Sequence, residues 1–143
     1  MKRFISILLV SLLACFTCVP AFGWGQKGHR IIAKIAYNNL SGKARKAVDK
    51  TLGKGGMIYW TNWPDEIKSD TIYADSHDWN YQDFPAGMSF EDIADAQVHY
   101  PEKDGNLFRA LDSLENVLRE NLRSKQAIDP HTLRFFIHLN GDL

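Results

Sequence analysis

Apolar residues recur at intervals of three and four along most of the chain, and no run alternates convincingly between apolar and polar, so the pattern predicts an all-α fold. Over 26–40, Ile32, Ala33, Ala36 and Leu40 fall on one helical face together with His29, which turns that histidine toward the core. A second, basic helix is predicted over 42–52, ended by Gly53 and the Gly55-Gly56 pair. Trp63-Pro64 should open a short third helix carrying Asp65 and Lys68, because proline is tolerated in a first turn. The stretch 71–101 mixes aromatics, acids, Gly87 and two prolines with weak periodicity, and reads as loop with one helical turn at 90–94. Asp104 is expected to cap an amphipathic helix bearing Leu107, Leu111, Leu114 and Leu118. Asp129-Pro130 is a cap followed by a first-turn proline and opens a last helix through Leu139.

The first residues differ from all of this. Met1-Lys2-Arg3 is a short basic start, followed by an apolar run from Phe4 to Val19 and then Pro20-Ala21-Phe22-Gly23, which is the pattern of a secretory signal peptide. Cleavage after Gly23 would make Trp24 the new amino terminus and send the chain outside the cell or into the periplasm. The apolar run falls short of the roughly 20 residues a membrane-crossing helix needs. Leu12-Leu13-Ala14-Cys15 also resembles a bacterial lipoprotein box, in which a lipidated Cys15 would anchor the chain; this is the lesser alternative. Both cysteines, Cys15 and Cys18, lie in the leader, so no disulfide is expected in the mature part. Residues 1–23 are thus read as signal peptide and residues 24–143 as one domain, without linker or internal repeat, and a monomer is expected.

Charge adds little. Loss of the leader removes two of the 17 basic residues against 17 acidic ones, so no overall bias toward nucleic acid results. Acidic side chains crowd between Asp65 and Asp104 and basic ones between Lys43 and Lys54; both stretches read first as solvated surface.

The titratable inventory is more informative. His29, His77, His99, His131 and His138, with several aspartates and no thiol, form a donor set suited to zinc in an exported protein. His138 and Asp142 are four apart, which stacks their side chains on one helical face and suits either a shared metal or a buried histidine bonded to an aspartate. His29 follows Trp24 by five residues with Gly25 and Gly28 between them, so the freed amine, the Trp24 carbonyl and the His29 ring could meet at one cation. A core histidine beneath a helix start is the other reading of His29.

Four segments in order, Trp24-Gly25-Gln26-Lys27-Gly28-His29, Trp63-Pro64-Asp65-Glu66-Ile67-Lys68, Trp79-Asn80-Tyr81 and His138-Leu139-Asn140-Gly141-Asp142, resemble the zinc-dependent nucleases of the S-one/P-one type. The resemblance spans nearly all of residues 24–143. It implies an all-α bundle of the phospholipase C and nuclease kind, three zinc ions in a cleft, and cleavage of single-stranded RNA and DNA. By the same resemblance, Trp24 and His29 would hold one zinc, joined through Asp142 to a second held by Asp65 and His138. Asp65 and Lys68 would be the catalytic pair, Lys68 offsetting charge on the phosphoryl oxygens while a zinc-activated hydroxide attacks. Tyr81 resembles the aromatic on which a base stacks; packing in the core is the competing role for it and for Trp79.

Two departures qualify the resemblance. Asn80 stands where the family has a histidine ligand, and an amide oxygen is the poorer donor for zinc; His77, three residues earlier, could replace it if the loop forms a helical turn. The family's third-zinc ligands follow the Gly-Asp pair, whereas this sequence ends at Leu143. At most two zinc sites are therefore expected here, in a domain cut short before its C-terminal helices and impaired as an enzyme. The competing functions are a zinc phospholipase acting on lipid phosphodiesters and a non-catalytic helical remnant that binds zinc weakly.

Overall fold

The computed structural model describes residues 25–99 and 106–143, and among these every regular element is helical. The order is α1 (Gln26–Asn39), α2 (Gly42–Leu52), α3 (Gly56–Trp60), α4 (Trp63–Ile67), a 3-10 segment (Thr71–Asn80), α5 (Phe90–His99), α6 (Leu107–Arg123) and α7 (Pro130–Asp142). No described helix is long and apolar enough to cross a membrane. Residues 1–24, and with them Cys15 and Trp24, lie outside the described residues, as does Asp104.

α7 is the axle. It packs against α6, α1, α3, α4 and the 3-10 segment, and its Leu133, Phe135, Ile137, His138, Leu139 and Gly141 are all buried. A helix buried on most sides needs apolar residues around its circumference, which the run Leu133 to Leu139 supplies. One apolar cluster joins Ala33, Leu52, Met57, Leu118, Leu133 and Ile137. A second joins Leu107, Ala110, Leu114, Phe135 and Leu139, so the two faces of α7 tie both together. Leu139 has no exposed surface. Truncating it to alanine is expected to destabilise the chain by ~2–5 kcal/mol, measured by urea unfolding, through lost burial plus the cavity left behind.

Local signals explain most boundaries. The Asp129 carboxylate accepts from Thr132 N at 2.7 Å and starts α7 with Pro130 in its first turn. Ser41 caps α2 by accepting from Ala44 N at 3.2 Å, and Gly53 and Gly55 end it at φ of 82° and 73°, where a side chain would be strained.

The expected loop at 71–101 is a correction. Asp70 accepts from Ile72 N at 3.0 Å and turns the chain into a 3-10 segment kinked at Tyr73. Its residues repeat every three rather than every 3.6, so a search for α-helical spacing passes over it. α5 spans Phe90–His99, its start fixed by Ser89 and Asp92, which cap each other reciprocally, Asp92 N donating to Ser89 Oγ at 3.1 Å and Ser89 Oγ to Asp92 Oδ2 at 2.7 Å. α3 is an additional turn that the pair Gly55-Gly56 conceals in the sequence.

Candidate metal centre

Three helices converge beneath the C-terminal end of α7. α1 brings His29, α4 brings Asp65, and α7 brings His138 and Asp142 one turn apart. Both histidines are almost wholly buried, at 2% and 1% exposure. His138 Nδ1 lies 2.6 Å from the Thr61 carbonyl oxygen. A carbonyl only accepts, so Nδ1 carries a ring proton and Nε2 faces the site. Thr61 therefore fixes both the tautomer and the direction of the donor.

Nε2 of His138 lies 3.4 Å from Asp142 Oδ2, and the other carboxylate oxygen, Oδ1, lies 3.4 Å from His29 Nε2. Asp65 Oδ1 is 3.9 Å from His138 Nε2. Asp142 thus presents one oxygen to each imidazole and stands between them as a bridge. The two rings stack, with centroids 4.3 Å apart and planes 26° from parallel. That approach depends on Gly141, because a Cβ there would lie 2.7 Å from His29 Nδ1.

Electrostatics point the same way. Asp142 Oδ2 and His29 Nδ1 are buried without a hydrogen-bond partner. Burial foremost, with Asp65 adding, pushes the Asp142 carboxyl up to about 6 against the opposing pull of His138. Burial, then His138, holds His29 below the ordinary imidazole range, against Asp65. The side chains strain against sharing this space alone. A divalent cation would remove the conflict, since donors about 2.0–2.1 Å from a tetrahedral ion sit roughly 3.3–3.4 Å from one another. His29, His138 and Asp142 offer donor atoms within 4.8 Å of one another, a grouping that could hold a metal.

The remaining expected site residues separate clearly. Lys68 is exposed at the C-terminal cap of α4, three residues beyond Asp65. Tyr81 is on the surface, its hydroxyl donating to Asp78 at 3.2 Å. With Asn80, Phe84, Phe108 and Asp142 it lines a cavity of about 320 Å³. Trp79 belongs to the second apolar cluster and packs edge-on to Phe135 at 5.2 Å, so of the two open roles it has the core one. His77 is 70% exposed and pairs with Asp78 at 3.2 Å; the turn does form, but it does not bring His77 to the other ligands. His131 also stands apart, bonded to the Tyr73 hydroxyl at 2.9 Å.

Two contributors were not singled out as functional in the sequence. Gly141 carried a usable signal, a glycine inside a helix directly before a candidate ligand. Thr61 carried none, because it acts through a backbone carbonyl that any residue possesses.

The profile of the S1/P1 nuclease family matches residues 24–143. The chain belongs to the S1/P1 nuclease family. Among curated relatives it is similar to Endonuclease 2 of Arabidopsis thaliana, 25% identical over 144 aligned positions that cover 96% of this chain and 49% of that protein. It is also similar to Endonuclease 5 of the same plant, 26% identical over 132 positions covering 86% of the chain and 45% of the relative. The chain thus spans about half the length of the curated relatives it matches. No solved structure matches it. The candidate metal grouping of His29, His138 and Asp142, with Asp65 3.9 Å from His138, lies within the matched region.

Proposed function

We propose that this chain carries the zinc-binding half-site of an exported phosphodiesterase that cleaves single-stranded RNA or DNA. The observation that carries the reading is Asp142, whose two oxygens each face a different buried imidazole at 3.4 Å. A carboxylate so placed can bridge two cations, His29 beside one, and His138 with Asp65 beside the other. Trp24, just before the start of α1, would add its amine and carbonyl to the His29 side once the leader is removed. An exported chain with neither a disulfide nor a thiol in its mature part suits imidazole and carboxylate ligation of zinc.

Bound zinc supplies Lewis acidity toward a phosphate oxygen and lowers the pKa of water. The protein's own contribution is positional. Thr61 holds the His138 ring, Gly141 allows His29 to close over it, and Asp142 spans the two. Lys68, exposed at the end of the same short helix as Asp65, would offset charge gathering on the phosphoryl oxygens. Tyr81, at the rim of the cavity that reaches Asp142, offers an exposed ring on which a base can stack, an interaction of roughly 1–3 kcal/mol that tolerates any base. Nuclease rather than phospholipase is favoured because both curated relatives are named endonucleases.

Metal analysis of the exported protein tests this. N-terminal sequencing should return Trp24, and zinc retained through gel filtration should approach two ions per chain. Cleavage of single-stranded DNA, in preference to lecithin, should vanish with a chelator and return with zinc. A product that begins elsewhere and retains no zinc would sink the reading.

A further inference from the structure

One buried polar atom near the centre is still without a role. Asn80 ends the 3-10 segment, and its Oδ1 is buried with no hydrogen-bond partner. A buried carbonyl left unpaired is costly, so its environment should supply something positive. Asn80 shares a cavity with Asp142, and Asp142 Oδ2 on that carboxylate is likewise buried and unpartnered. The imidazole of the same segment does not compete for the place: His77, at 70% exposure, is turned to solvent and paired with Asp78.

The geometry points to Asn80 as an oxygen ligand of the cation held by Asp65, His138 and Asp142. This inference rests on the reading of the centre above and deepens it by assigning the character of one of its two sites. Counted by donor atoms, that site has a single imidazole nitrogen and three oxygens, from two carboxylates and an amide. Imidazole suits zinc, whereas carboxylate and carbonyl oxygens suit harder ions such as manganese. Zinc still binds the more tightly of the two, as it does at any site of nitrogen and oxygen donors, but its lead over manganese is narrowed. The site is therefore the exchangeable one of the pair and accepts manganese(II) at concentrations that leave the His29 site untouched.

The test uses the full chain, with zinc and manganese as the probes. Manganese binding is followed by electron paramagnetic resonance, and zinc by competition with a chromophoric chelator, for the unaltered chain, Asn80→Ala, Asn80→Asp and Asn80→His. Loss of an outer-sphere partner already weakens a metal about 10–100-fold, so Asn80→Ala should weaken one ion at least about tenfold and leave the other unchanged. Asn80→Asp should restore manganese binding. Asn80→His should tighten zinc and widen its lead over manganese by at least about tenfold. Circular dichroism of the metal-free variants separates ligand loss from misfolding, and Asn80→Asp, which keeps size and an oxygen donor, is the variant to read should alanine fail to fold. If the unaltered chain binds ions and both the Ala and His variants bind them equally well, the inference is overturned while the centre stands. If the unaltered chain binds neither ion, the reading of the centre falls and takes the inference with it.

Discussion

Gly141→Ala is expected to weaken cation binding at the His29 side and destabilise the chain, although helix propensity alone predicts the opposite sign. Glycine inside a helix is ordinarily about 0.5–1 kcal/mol worse than alanine, so the substitution should help wherever there is room. Here there is none. The added Cβ would fall 2.7 Å from Nδ1 of His29, a ring that is itself 2% exposed and stacked on His138. A buried ring cannot swing aside as the tip of a surface side chain would, so α1 must move away from α7 or the ring must leave Asp142. Overpacking of this kind typically costs ~1–3 kcal/mol. Displacing His29 by even an ångström also removes it from the Asp142 Oδ1 that it now faces at 3.4 Å. Urea unfolding in chelator should show the loss of stability, and zinc titration the loss of affinity at the His29 side. A variant more stable than the parent, with unchanged zinc binding, would show that the close contact does not govern the centre.

Asp142→Asn should have two effects of opposite sign. Its amide keeps the shape of the carboxylate but cannot bridge two cations, so retained zinc should fall from two ions to one or none. Without metal, the same change should stabilise the protein at neutral pH. Asp142 is 16% exposed, and burial raises its carboxyl from 3.8 to about 6 in the folded chain. A carboxyl raised on folding contributes stability that is fully present below its unfolded value and is lost as pH rises through the folded one. In chelator, the unaltered chain should therefore lose on the order of 2 kcal/mol between pH 4 and pH 7 from this group. Asp142→Asn removes that decline. His29, whose imidazole is lowered by burial, works in the other direction, its contribution being present above the ordinary imidazole value and lost as pH falls below it. The difference between the two chains isolates Asp142. Parallel stability profiles for the unaltered chain and the Asp142→Asn variant would show that the carboxylate carries no such strain.

The two variants probe different physics. Gly141→Ala tests whether helix approach holds the centre together, and Asp142→Asn tests whether charge does. Each has a stability arm in chelator that is independent of turnover, so neither rests on the proposed nuclease activity.

The sequence by itself determined which segments are helical wherever burial follows a period of 3.6, as in α1, α2, α6 and α7. Signals written in the sequence, Gly53 after α2 and Asp129-Pro130 before α7, set two of the ends. It also placed His138 and Asp142 on one face, because their spacing along one helix leaves no alternative, and it turned His29 inward. The 3-10 segment escaped, since its period is three, and α5, opened by a reciprocal cap of Ser89 and Asp92, runs past the expected turn. Only the tertiary structure decided that the inward face of α1 meets Asp142 and that Asp65 on α4 joins them. It alone separated Trp79, which is core, from Tyr81, which is surface, and left His77 outside the centre while burying the oxygen of Asn80. The reason is that spacing along a helix fixes only which side chains share a face. Which faces meet, and whether an atom within them is left without a partner, depends on packing among elements far apart in the chain, and here that packing turns on a missing Cβ at Gly141 and a backbone carbonyl at Thr61.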